Sequence, residues 1–444
     1  MKTNFARVVI LCSSGFFLGG LPTSVWAVWA QAISSNNPMV ETTSNSALST
    51  SPVQPSSGLI SALQSTMMYH PALQGKQVGL NVQQSAIDSA EAGRYPSLSA
   101  QADNLTDGYK QATLRLQQPL WAFGKIDTAI QQAQADFSTE QRGLLEIQRQ
   151  LAEETAVAYA KIEGIHQRLT AANTNIVEHE RLYQRVERRQ KGQLASEADV
   201  RLAYSRLIQA KAQKMAIVGE QQVALADLQA LTQIEVISDV AIDQTLLALP
   251  SMEVVESLAL KNSASIGYKQ AHIKVAQLNI EKERVAALPT IYLRAERDFL
   301  ETPNTTNESR VGMVVEGSLD GMGFIAKGRV NGAKALLQVA EYDVDVAENE
   351  VRRYIRSLML NRKVQQLLMV SHQEAVDAVA DTMDSFVRQY DSGRKSWVEV
   401  LNTQRELTDL RFQLAQSRSE WLIASLRLAA LTGGLDKLAG IQSL

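Results

Sequence analysis

The sequence predicts a mainly α-helical chain with a small β part: duplicated long-helix coiled-coil hairpins plus four β-strands per chain. Three observations predict it. A helix-tip motif occurs twice, two apolar heptad strings each run up to one of those tips, and two pairs of alternating segments precede the heptad strings. Ser196 and Ser396, the corresponding serines of the two tips, stand 200 residues apart, and a repeat of that length marks a duplicated architecture. The first tip runs from Gln190 to Val200 and the second from Asp391 to Val400. In each, a glycine (Gly192, Gly393) closes one helix and a serine (Ser196, Ser396) caps the next, with an acid (Asp199, Glu399) three positions on. This reads as a left-handed glycine after the helix end, followed by a capping box.

Composition narrows the class. A net charge of −3 over 444 residues argues against nucleic acid as a partner, which calls for a basic surplus. Ala, Gln, Leu, Glu and Arg are common while Gly, Pro and aromatics are modest, a helix-forming composition. Cys12 is the single cysteine, so intrachain disulfides and cysteine-ligated metal sites are excluded. It lies in a segment, 1–32, that reads as a signal peptide. Lys2 and Arg7 supply the positive start, Val8 to Leu21 the apolar stretch, and small residues fit cleavage after Ala27, Ala30 or Ala32. Beyond Ala32 no apolar run of ~18 residues remains to make a membrane-spanning helix.

Residues 33–57, rich in Ser, Asn, Thr and Pro, read as a flexible leader. A first repeat spans 58–250. Leu59 to about Gly93 is helical and broken near His70-Pro71, and Pro96 ends it. Ser97–Asn104 and Tyr109–Gln118 alternate apolar and polar residues around Leu105-Thr-Asp-Gly108, the pattern of a β-hairpin over 97–118. From 126 to 190 the period changes to seven: Ile130, Phe137, Leu144, Leu151, Ala158, Ile165, Ala172, His179 and Val186. A strict seven-residue repeat means a supercoiled helix packed along a partner, here ~100 Å long at 1.5 Å per residue. The tip follows, then a return helix at 196–231 and a connector at 232–250.

A second repeat, 251–435, has the same order. A helix at about 252–287 ends before Pro289, and strands are expected at 290–299 and 310–318, either side of the polar turn 301–308. The second long helix, 327–390, carries Val330, Leu337, Val344, Val351, Leu358, Gln365, His372, Val379 and Phe386. A return helix at 396–431 ends at Gly433-Gly434, leaving a tail at 436–444.

Each alternating segment is about nine or ten residues long, enough to cross a bilayer at a tilt of ~45°. One face is apolar and the other carries Arg115, Arg294, Glu296 and Glu316. Four strands close no barrel, and open strand edges are not viable in lipid. A membrane role therefore requires several chains: two give eight strands, three give twelve. Tyr109 and Phe299, near the outer strand ends, suit an aromatic girdle.

Four local motifs carry a resemblance. They are Ala72-Leu73 leading to Arg94-Tyr-Pro-Ser-Leu98, Gln118-Pro-Leu-Trp-Ala-Phe-Gly124, Gly192-x3-Ser196-x2-Asp199-Val200, and Gly393-x2-Ser396-x2-Glu399-Val-Leu401. With the duplicated order of elements, over about 58–435, the chain resembles the TolC-type outer-membrane channel family. The resemblance implies a homotrimer whose twelve-stranded β-barrel lies in outer-membrane lipid and continues as an α-helical barrel across the periplasm. It implies an exit duct for efflux or type I protein secretion, partnered by a periplasmic adaptor and an inner-membrane transporter. It also implies roles for single residues. Asp199, Tyr390 and Lys395 match a gate latch, and Glu399 and Asn402 match the pore constriction, where a ring of Glu399 carboxylates would attract cations. Asn402 is neutral where the family often has a second acid, so a weaker field is expected.

Gly321-Met-Gly-Phe-Ile-Ala-Lys-Gly328 lacks the Lys-Ser/Thr ending of a phosphate loop and reads as a bend between strand and helix. A Gly-rich bend there also resembles channels that secrete large adhesins. The five histidines form no ligand set; His179 and His372 sit at heptad positions and read as packed helical residues. No catalytic arrangement, metal motif or cofactor can be assigned, so the expectation is a channel and not an enzyme. The competing readings are a periplasmic coiled-coil adaptor, which usually has one hairpin between lipoyl half-motifs, and a secreted coiled-coil structural protein.

Overall fold

A computed structural model of the chain describes residues 58–104, 110–235, 250–300, 308–318 and 320–442, together with 242, 247 and 248. The expected signal peptide and leader, the turns at 105–109 and 301–307, and much of the connector before residue 250 lie outside those residues.

Pro71 has no N–H to donate, so it opens a helix and cannot continue one. Helix α1 (Gly58–Tyr69) stops there, and α2 (Pro71–Ala92) begins with His70 Nδ1 accepting the Ala72 N–H at 3.3 Å. Strands β1 (Ser97–Asn104) and β2 (Lys110–Trp121) follow. Two left-handed residues, Phe123 and Gly124 (φ 49° and 87°), then turn the chain into α3 (Lys125–Lys191), and α4 (Glu197–Thr232) returns from the tip.

The second half comprises α5 (Met252–Asn262), α6 (Ala264–Ala286), β3 (Thr290–Leu300), β4 (Ser309–Glu316), a 3-10 turn at Asp320–Gly323, α7 (Phe324–Asp391) and α8 (Trp397–Leu431). A last turn, α9, spans Asp436–Ala439. The single helix expected at about 252–287 is two helices. Ser263 leaves the helical region (ψ 119°), and its hydroxyl accepts the Ile266 N–H at 3.3 Å as the cap of α6. The correction brings the halves into agreement, since two short helices now precede each strand pair. The strand-to-helix bend also recurs: Met322 and Gly323 (φ 57° and 86°) repeat Phe123 and Gly124.

The sheet is antiparallel in the order β1-β2-β3-β4, so the two hairpins meet at β2 and β3. Its register lines up Leu98, Leu116, Ala295 and Val311 in one row across all four strands. The neighbouring row, on the opposite face, is Ser99, Arg115, Glu296 and Arg310. That polar face is laced by ion pairs: Arg115 with Glu296 at 2.5 Å, Arg310 with Asp298 at 2.5 Å, and Arg294 with Glu316. The apolar face stays exposed.

All eighteen heptad positions in α3 and α7 are buried or half-buried. On the tip side the helices pack in the order α4–α3–α8–α7, and on the sheet side α2–α3–α6–α7. The largest core lies midway, where Leu59, Leu63, Tyr159, Ile162, Leu228 and Leu426 are almost fully covered. Arg149 of α3 fastens the chain end there. It pairs with Asp436 at 2.7 Å and donates to the Asn262 carbonyl, while Asn262 Nδ2 donates to the Thr432 carbonyl at 3.1 Å.

Candidate functional site

Both tips close with the same backbone bonds. In the first, the Leu194 N–H reaches back to the Arg189 carbonyl (2.8 Å) and the Gln193 N–H to that of Gln190 (2.9 Å). In the second, Arg394 reaches Gln389 (2.9 Å) and Gly393 reaches Tyr390 (3.0 Å). The left-handed residue is Gly393 (φ 74°) in one tip but Gln193 (φ 60°) in the other. The expectation that Gly192 fills this place is therefore corrected: Gly192 ends α3 with φ −84°, one residue early. The 200-residue repeat aligns Gly192 with Ser392 and Gln193 with Gly393, so the two glycines are not equivalent.

Two capping boxes start the return helices. Ser196 Oγ accepts the Asp199 N–H at 3.1 Å, and Asp199 Oδ2 accepts the Ser196 N–H at 3.2 Å. Ser396 and Glu399 make the same reciprocal pair at 3.3 and 3.0 Å. Each acid satisfies a donor that the helix itself leaves orphaned.

The second tip is built on a buried aromatic pair. Tyr390 and Trp397 lie 4.9 Å apart between ring centroids. Arg189, from the first tip, places its guanidinium 4.7 Å from the Tyr390 centroid and donates to the Asp391 carbonyl at 2.9 Å. Arg185 adds an ion pair to the Asp391 carboxylate at 3.4 Å. Arginine suits this place because its flat cation both stacks and donates. Burial raises the Tyr390 phenol pKa above its ordinary value, and Asp199 acts in the same direction. Lys395 Nζ donates to Glu399 at 2.7 Å and sits 4.2 Å over the Phe386 ring. That bond, with those from Ser396, holds the Glu399 carboxyl at about 2.

Tyr390, Lys395 and Glu399 thus share one tip. Asp199 lies in the other, and among the described residues it makes no hydrogen bond or ion pair to Tyr390 or Lys395 within the chain. Asn402 is exposed on α8, one turn beyond Glu399. That face continues in exposed Glu406 and Asp409, which the sequence reading missed although they keep the three-then-four spacing. Arg185, Arg189 and Trp397 were missed too, since nothing local marks an arginine that crosses to another hairpin.

Further along, α3 and α8 meet through a polar layer. Thr408 Oγ1 donates to Asn175 Oδ1 at 2.7 Å, and Gln404 Nε2 reaches the same oxygen at 3.3 Å, with all three side chains buried. His179 is buried beside them, its pKa lowered to about 4 by burial and by Arg206. Beyond this layer Gly164 faces Ser419, and any Cβ at 164 would overlap the Ser419 side chain.

At the opposite end, Tyr95, Trp121, Phe123 and Phe324 stand exposed where strands become helices, with Trp121 and Phe123 edge to face at 5.9 Å. This belt was not foreseen. Phe299 is exposed near the far strand ends, and Tyr109 lies outside the described residues. Among the described residues, no group of His, Cys, Asp and Glu could hold a metal, and no helix is long and apolar enough to cross a membrane.

The sequence pattern of the outer membrane efflux protein family matches residues 62–232 and 255–434. The outer membrane efflux protein BepC of Brucella suis is 25% identical over 177 residues, a match covering 38% of this chain and 38% of BepC. Among solved structures, the outer membrane protein VceC of Vibrio cholerae superposes with a TM-score of 0.69 at 17% identity, over 86% of this chain and 99% of VceC. The CmeC outer membrane channel of Campylobacter jejuni superposes with a TM-score of 0.71 at 13% identity, over 90% of this chain and 95% of CmeC.

Proposed function

The chain belongs to the outer membrane efflux protein family, and from that premise we propose that three copies close into a passive exit duct, with a barrel in outer-membrane lipid and helices reaching into the periplasm. One observation carries this reading: the protomer ends in matching open edges at three levels. In the sheet the edges are β1 and β4. On the sheet side the outer helices α2 and α7 leave Val78, Val82, Val339 and Val346 exposed. On the tip side, α4 and α7 leave Ile208, Met215, Val223, Leu360, Val364 and Leu367 exposed. Covering one such side chain contributes about 1.5–3 kcal/mol. If the last edge of each copy joins the first edge of the next, all three levels close together. Three copies supply twelve strands and twelve tip-side helices.

The tips are the gate in this reading, and the duct works with a periplasmic adaptor and an inner-membrane transporter. Among the described residues Asp199 makes no hydrogen bond or ion pair to the second tip of its own chain, although its charge acts on Tyr390, so in this reading the latch with Tyr390 and Lys395 is completed between neighbouring copies. Exposed pairs contribute only ~0–1 kcal/mol each, which threefold repetition makes firm yet reversible. At the constriction, Glu399 is already balanced by Lys395, so the cation-attracting surplus comes from Glu406 and Asp409, with Asn402 between. Efflux is favoured over type I secretion by the family description and by the description of BepC. The adaptor reading is disfavoured by the double hairpin and the four-stranded sheet.

Wild-type protein should fractionate with the outer membrane and migrate as a heat-modifiable trimer, whereas Val346→Glu with Leu367→Glu should leave monomers. A soluble wild-type monomer that never enters vesicles overturns the proposal.

A further inference from the structure

We propose that Arg297 is a docking site for the phosphate of an anionic lipid headgroup in the leaflet farther from the helices; the inference rests on the membrane-barrel reading above. The register places Arg297 on the apolar face of the sheet, between Leu114 of β2 and Ser309 of β4, in line with Leu293, Ala295 and Phe299 along β3. It is a cation in a row that otherwise faces lipid. The other three arginines of the sheet, Arg115, Arg294 and Arg310, lie on the polar face, and each has a carboxylate partner. Arg297 has none among the described residues. Its guanidinium lies 5.2 Å from the Phe299 centroid, so the side chain leans along the strand away from the helices.

Height explains the arrangement. Arg297 is seven residues beyond Thr290, ~24 Å along the strand and ~18 Å along the barrel axis at the usual tilt. An apolar band is about 25 Å tall, so the side chain reaches the far headgroup layer. The cost of an arginine on the lipid face falls steeply toward that layer. Phe299 holds one face of the guanidinium, and the free N–H edges match phosphate oxygens in a bidentate fork. In the trimer the site recurs three times around the rim.

Native mass spectrometry of the detergent-extracted oligomer, with phosphatidylglycerol or phosphatidylcholine added, tests the site. Wild type should retain phosphatidylglycerol over phosphatidylcholine by about fivefold more than R297Q does, the ratio expected for one cation beside anionic lipid, and R297K, which keeps the charge but not the fork, should fall between them. Inorganic phosphate alone should not compete. Equal retention by wild type and R297Q, or no headgroup preference in wild type, overturns the proposal. Competition by inorganic phosphate overturns the lipid as its source. Should R297Q fail to assemble, the wild-type preference and its partial survival in R297K decide. Failure of the barrel reading is distinguishable, because wild-type protein would then form no channels in planar bilayers.

Discussion

Lys395 and Glu399 form an ion pair at 2.7 Å within one turn of the second tip, where Glu399 also closes the capping box of α8. One residue therefore serves both the local fold and the proposed pore. Its pairing makes the tip a site of mixed charge and not a bare acidic ring.

Replacing Lys395 with Ala removes one latch member and frees the Glu399 carboxylate. Single-channel conductance of purified protein in a planar bilayer should rise, and cation selectivity should increase. Unchanged conductance would take Lys395 out of the latch.

Glu399 also makes a pH prediction. Its folded pKa, about 2, lies below the ordinary value of 4.5, so its contribution to stability is full above 4.5 and lost as pH falls toward 2. Protease resistance of the second tip should decline across that window. In Glu399→Gln the decline should flatten; a wild-type slope in the variant argues against the pairing.

His179 acts in a higher window. Burial lowers its pKa to about 4 from 6.5, so the unfolded chain binds the extra proton first and stability falls as pH drops from 6.5 toward 4. Replacing it with Leu should remove that slope in thermal melts. Arg206 faces it across the α3–α4 packing, and Asp409 lines the same small cavity. The charge on Asp409 is therefore kept constant by comparing the variants at matched pH.

Gly164 and Ser419 set how closely α3 approaches α8. Gly164→Ala should destabilise by about 1–3 kcal/mol, as overpacking does, and Ser419→Gly should restore most of it. Additive losses in a double-mutant cycle would show that the two positions do not share the contact.

Gln193 holds a left-handed conformation that glycine adopts without strain. Gln193→Gly should stabilise the first tip by about 1 kcal/mol, whereas Gly393→Gln should weaken the second. Amide hydrogen exchange at residues 194 and 394 would read both effects.

Much of this chain is written in periods of two and seven, and those were legible. The alternation of Leu114, Leu116, Leu293 and Val311 identified strands and their apolar face, because successive side chains of a strand point to opposite sides whatever the strand pairs with. The heptad strings identified the long helices and their covered stripe for the same kind of reason. Capping boxes depend on residues three apart, so Ser196 with Asp199 and Ser396 with Glu399 could be read directly. The glycine of the first tip was misplaced by one residue, since a left-handed turn with a favourable bond pattern tolerates Gln193.

The sequence by itself determined element type, the duplication, the tips and the family resemblance, all of which rest on contacts within a few residues or on a repeat. Only the tertiary structure decided that Arg189 stacks on Tyr390, that Thr408 bonds Asn175, that α4 and α7 are left as outer helices, and that Arg297 has no carboxylate partner among the described residues. These pairings span up to 233 residues of chain. They follow from which faces pack against which, a choice made by many small burial and hydrogen-bond terms summed over the whole fold, and no local pattern records that sum.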